Sequence, residues 1–120
     1  MKIAFSASGD SLDAALDQRF GRAAQFVIVD SETDEFTVVD NTQNLNAAQG
    51  AGIQSAQNVV SAGATVLVSG HTGPKAFRVL SSAGVEIYLS SAATVKEAYQ
   101  DWKDGKLAKS GSPDVEGHWI

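Results

Sequence analysis

The sequence predicts a three-layer α/β domain: one mixed five-stranded sheet, with one antiparallel strand and helices on both faces. Two observations carry that expectation. The second half alternates short β-branched runs with segments of helical period, so those crossovers should be parallel and right-handed. The first half instead holds two apolar runs joined only by DSETDE, which is the pattern of a hairpin.

Lys2 to Ala7 reads as the first strand, with Ile3 and Phe5 on one face, and it ends in the turn cluster Ser8, Gly9, Asp10. Ser11 to Ala24 has no clean period and reads as a long loop with a short helical turn around Leu12–Leu16. Phe26–Val29 and Phe36–Val39 form the hairpin strands. Asn46 is placed to cap a helix with Gln49 completing a capping box, and this helix runs to about Ala62, where Gly63 stops it. Thr65–Val68 is continuous and β-branched, as a strand buried on both faces should be. Thr72 then caps a second helix with Pro74 in its first turn, and Gly84 ends it. Val85–Leu89 is the fifth strand. Thr94 and Glu97 frame the last helix, which presents Val95, Tyr99 and Trp102. Residues 1–107 therefore form one domain, and residues 108–120 read as a flexible tail containing His118 and Trp119.

Composition narrows the possible functions. The 120 residues contain no cysteine, which excludes disulfides, thiolate zinc sites and thiolate-held iron–sulfur clusters. A formal charge of −5 argues against a general nucleic-acid binder. No apolar run approaches the ~20 residues of a membrane span, and MKIAFSAS lacks the apolar length of a secretory signal, so a cytoplasmic protein is expected. No Lys or Arg occurs between Ala23 and Pro74, whereas Arg19, Arg22, Lys75 and Arg78 lie close to glycines.

In an open α/β sheet, ligands sit beyond the carboxyl ends of the parallel strands. Three connections should meet there: Ser6–Asp10, with Ser8 and Gly9; Ser69–Lys75; and Ser90–Ser91. In the second, Gly70, His71, Thr72, Gly73, Pro74 and Lys75 lead from a buried strand into a helix N-terminus, where free N–H groups favour an anion. Lys75 opposes the helix dipole, and an anionic ligand would explain its position; a plain strand-to-helix turn is the alternative. Arg19, Phe20, Gly21 and Arg22 place two cations and a ring around a glycine, suiting a polarisable anion, against the alternative of an Asp17–Arg19 surface pair. Gly50 and Gly52 each cost a helix about 1 kcal/mol relative to alanine. Either close packing or a ligand against bare backbone should compensate. Neither a P-loop, a GxGxxG nor a GxSxG elbow occurs, and strand ends carry serines where a two-metal nuclease needs carboxylates.

The segments KIAFSASG, DQRFGRAAQFVIVD, NAAQGAGIQSAQNVVSAGATVLVSGHTGPKAFRVL, GVEIY and TVKEAYQDWKDGKL together resemble the dinitrogenase iron–molybdenum cofactor biosynthesis family. RFGR and GHTGPKAF are the most specific parts. The family includes NifX-like and NafY-like cofactor carriers and a small carrier that holds a molybdenum–copper–sulfide cluster without covalent attachment. The resemblance implies an RNase H-like fold and a carrier role rather than catalysis. It also implies that Arg19–Arg22 match the family's FGR loop and Gly70–Pro74 its GHxGP turn. Many members have histidine at the position of Arg19 and cysteine at that of Ala23, so this chain lacks two potential metal ligands. A molybdenum–copper–sulfide or iron–molybdenum-cofactor-like cluster would then be held through its outer sulfides. Cofactor-assembly proteins are the partners implied. The alternative function is an adaptor module in a cofactor-assembly or cell-division complex.

Overall fold

The computed structural model describes residues 1–42 and 51–110. The cap and early helix expected at Asn46, Gln49 and Gly50 lie outside these residues, as does the tail from residue 111 onward.

The described elements are β1 (Lys2–Ala7), β2 (Gln25–Asp30), β3 (Phe36–Asp40), α1 (Ala51–Ser61), β4 (Val66–Ser69), α2 (Pro74–Ser82), β5 (Glu86–Leu89), α3 (Val95–Lys103) and β6 (Ala108–Lys109), with a 3-10 turn at Phe20–Arg22. They build one six-stranded sheet in the order β3-β2-β1-β4-β5-β6. β1, β4 and β5 are parallel, β2 runs antiparallel to both β1 and β3, and β6 runs antiparallel to β5. The expected five strands are thus six. Ala108 and Lys109, assigned by the sequence reading to the start of a tail, pair with Leu89 and Tyr88 instead. A two-residue strand without a β-branched side chain leaves no alternation to read.

Side chains of β1 alternate between two cores, as the strand period requires. Ala4, Phe26, Ile28, Leu67 and Ile87 pack with Ala56 and Val59 of α1 and Ala76 and Leu80 of α2. Ile3, Phe5, Val27, Val29, Val66 and Val68 pack with Val95, Ala98 and Tyr99 of α3. All four residues of β4 are buried, as its apolar run predicts. No helix among the described residues is long and apolar enough to cross a membrane.

Three of the four described helix ends with a sequence-predicted signal follow local chemistry. Gly63 and Gly84 adopt φ of +84° and +81°, the left-handed region that glycine enters freely. Thr94 caps α3, its Oγ1 accepting from Glu97 N at 3.2 Å, while Glu97 Oε2 accepts from Ala93 N at 3.2 Å. The second bond reaches one residue further back than the usual box. At α2, however, the N-cap is Gly73 with no side-chain cap bond, not the expected Thr72, which is 1% exposed.

Candidate functional site

Residues 11–19 form a strap that opens in a single turn, Ala14 N donating to Ser11 O at 3.1 Å, and then runs through β-bridges where the helical turn was expected to reach Leu16. Ala15 and Leu16 make single β-bridges to Thr94 and Ala7, so the segment is pinned by isolated pairings that leave no period in the sequence. Val95 N and Lys96 N donate to the carbonyls of Ala14 and Leu12 at 3.0 and 2.8 Å. These bonds occupy donors at the N-terminus of α3, which is therefore closed to an anion. Beyond Leu16 the strap crosses the carboxyl ends of β1 and β4. Asp17 N donates to Ser6 O at 2.8 Å, and Ser6 Oγ donates to Asp17 O at 2.7 Å. Ser69 Oγ lies 2.8 Å from Ser6 Oγ, so a buried hydroxyl pair joins the ends of the two strands.

The strap then meets the loop after β4. Arg19 and His71 form a parallel bridge, and Phe20 N donates to His71 O at 3.2 Å. The two motifs RFGR and GHTGP are thus in direct backbone contact. Beside this junction, beyond the ends of β4 and β5, lies an open hollow of about 350 Å³ lined by Gln18, Gly70, His71, Leu89, Ser90 and Ser91. Ser90 Oγ accepts from Ala92 N at 3.1 Å, a local turn that fixes its hydroxyl at the rim.

The sequence-predicted residues divide into several groups. Gly70 and His71 line the hollow. Gly70 has a further role: a Cβ there would stand 2.1 Å from Gln18 Oε1 and 2.7 Å from Gln18 Cα, so this glycine admits the strap. Phe20 is 1% exposed and packs on Phe26 with ring centroids 5.3 Å apart; it is a core side chain, not a ring offered to a ligand. Gly21 and Arg22 are half-buried in the 3-10 turn. Arg19 is exposed, with Nε 3.4 Å from Asp17 Oδ1, the surface pair that was the alternative for this residue. Gly52 faces Ala76, whose Cβ would be 3.4 Å from an added Cβ, so α1 and α2 pack closely here while leaving room for a methyl group. Gly9 likewise packs against Ala14, at 3.1 Å for an added Cβ, and Ser8 is exposed. Gly73 and Pro74 are half-buried at the start of α2, and Lys75 is exposed in its first turn.

Gln18, Leu89, Ser90 and Ser91 are the lining residues that were not singled out as ligand contacts. Gln18 belongs to a loop whose course is set by contacts distant in sequence. Ser90 and Ser91 stand at the edge where the sequence places the connection after the last parallel strand, and they line the hollow there. Among the described residues, no group of three or more His, Asp or Glu side chains converges as a metal site would require.

The sequence pattern of the family described as dinitrogenase iron–molybdenum cofactor matches residues 1–105. The apo form of the orange protein from Desulfovibrio gigas is similar to this chain with a TM-score of 0.91 and 41% identity, over 95% of this chain and 96% of that one. A candidate NifB protein from Thermotoga gives a TM-score of 0.81 and 32% identity, over 95% and 98% of the two chains. An uncharacterised protein of Methanocaldococcus jannaschii is 30% identical over 112 residues, 91% of each chain. A match that spans all three layers and both of the motifs that meet at Phe20 and His71 shows that the chain belongs to the dinitrogenase iron–molybdenum cofactor family.

Proposed function

We propose that this protein binds and carries an anionic metal–sulfur cluster, of molybdenum–copper–sulfide or iron–molybdenum-cofactor type, without a covalent bond. The observation that carries the reading is the backbone junction of RFGR with GHTGP beside an open hollow at the carboxyl edge of the parallel strands. Cluster size and donor chemistry suit the place. Sulfide rims are weak, diffuse acceptors, and the lining offers a carboxamide at Gln18, hydroxyls at Ser90 and Ser91, the imidazole of His71 and an apolar face at Leu89. No lining residue carries a carboxylate that would repel an anion.

Charge near the hollow favours the same cargo. The N-terminus of α2 has no side-chain cap; Pro74 carries no N–H and Phe77 N donates to Gly73 O at 2.9 Å, so the first-turn N–H groups without an intrahelical carbonyl are those of Lys75 and Ala76. Lys75 in that turn and Arg19 in the strap are exposed cations on the two sides of the junction. Arg22, His71, Thr72, Gly73, Ser8 and Gly9 complete the set proposed to hold the cluster or shape its cavity. Phe20, Gly21 and Pro74 belong to the proposed site through the backbone alone.

This is a binding role, not catalysis. The lining of the hollow pairs no carboxylate with the His71 imidazole that could orient it as a general base. As a carrier the protein would receive the cluster from, and deliver it to, cofactor-assembly proteins. The cytoplasm is the compartment we propose for this exchange.

Anaerobic addition of tetrathiomolybdate and a cuprous salt to the apo-protein tests the reading. The wild type should gain visible absorbance and retain molybdenum through gel filtration, with weaker retention in Arg22→Ala and Lys75→Ala. Equal retention in all three removes these cations from the site, and a protein that stays colourless supports the adaptor role instead.

A further inference from the structure

The polar groups behind the RFGR loop are not explained by packing. Asn41 follows β3 and Ser55 sits on the inward face of α1, both 0% exposed among apolar neighbours. A buried carboxamide and hydroxyl are costly unless each is bonded. Asn41 Nδ2 donates to Ala23 O at 2.8 Å and to Ser55 Oγ at 3.0 Å, and its Oδ1 accepts from Asn58 Nδ2 at 2.7 Å. Its backbone N–H donates to Ala24 O at 2.9 Å. Ser55 Oγ in turn donates to Gly21 O at 3.3 Å.

The targets of these donors matter more than their number. Gly21, Ala23 and Ala24 are the carbonyls of the 3-10 turn and of the residues that leave it. The carbonyls of Arg19 and Phe20 are taken within the turn, by Arg22 N at 3.2 Å and Ala23 N at 3.4 Å. A carbonyl oxygen is the negative end of its dipole and would repel an anion at this rim. The network draws these oxygens into the protein interior, towards α1.

Resting on the carrier reading above, we infer that Asn41 and Ser55 are positioning residues for the RFGR side of the cluster site. They touch no ligand. They hold the turn so that these carbonyls point away from an anionic guest.

The test compares Ser55→Ala and Asn41→Asp with wild type and with Tyr99→Phe, a control that loses a side-chain bond to the β2–β3 hairpin. Amide hydrogen exchange of Arg22 and Ala23 is read together with the tetrathiomolybdate concentration, at fixed cuprous salt, that half-saturates visible absorbance. Ser55→Ala should speed exchange of the turn and raise the half-saturating concentration about tenfold, the factor one hydrogen bond supplies. Tyr99→Phe should leave both at wild-type values. Half-saturation unchanged in Ser55→Ala overturns the inference, as does an equal loss in Tyr99→Phe, which would mark a general effect of stability. If Asn41→Asp does not fold, Ser55→Ala decides alone. A wild type that takes up no cluster overturns the carrier reading and this one with it, whereas uptake that is indifferent to Ser55 overturns only the positioning role.

Discussion

Gln18 occupies the space that a side chain at position 70 would need: an added Cβ on Gly70 would lie 2.7 Å from Gln18 Cα. The carboxamide of Gln18 could swing away, but its backbone could not without lifting the strap. Gly70→Ala should therefore destabilise the fold by about 1–3 kcal/mol, the usual cost of overpacking. Chemical denaturation reads that loss directly. A variant as stable as wild type would mean that the strap moves freely, and the hollow with it.

Phe20→Ala distinguishes a core ring from a ligand contact. The ring is 1% exposed and packs on Phe26, so truncation should cost about 3–5 kcal/mol in urea unfolding. A loss below about 1 kcal/mol would contradict the core assignment.

Gly52→Ala should be tolerated. Its new methyl would meet Ala76 Cβ at 3.4 Å, close to ordinary contact, and the helix gains up to about 1 kcal/mol of propensity. Thermal melting should show a midpoint at or above that of wild type. A marked fall would show that α1 and α2 cannot separate by even a few tenths of an ångström.

Tyr99 gives stability a dependence on alkaline pH. Burial, then the hydrogen bond to Asp34 at 2.5 Å and the charge of that carboxylate, push its hydroxyl from 10.0 up to about 12. The folded value lies above the unfolded one, so the contribution is complete below pH 10 and is lost as pH rises towards 12. Lys103, with Nζ 4.8 Å from the ring centroid, is common to both proteins when wild type is compared with Tyr99→Phe. Stability measured from pH 9 to 12 should fall less steeply in the variant. Parallel curves would contradict the assignment.

Much of this fold is legible in the sequence because its signals are local. The first strand is read with its observed bounds, and the Thr94 cap and the glycine stops at Gly63 and Gly84 follow from residues adjacent in the chain. Failures occur where a distant contact decides. At Gly70 the sequence does not reveal that Gln18 arrives there, a second demand on a glycine that also lines the hollow. Phe20 reads as an offered ring because nothing local says that Phe26 lies beneath it. Asn41 carries no local signal at all, since its partners sit on a helix and a turn that the chain brings together only in three dimensions. Thr72 has the right chemistry for a cap, yet burial carries it inward and leaves Gly73 at the helix boundary.

Mapping the bound cluster by amide NMR on 15N-labelled wild type, loaded anaerobically with tetrathiomolybdate and cuprous ion, is the most direct measurement. The account predicts that the largest shifts fall on Gln18–Arg22, on Gly70, His71 and Lys75, and on Ser90–Ser91. Shifts concentrated instead on the β2–β3 hairpin around Asp34, with these three loops unmoved, would contradict it.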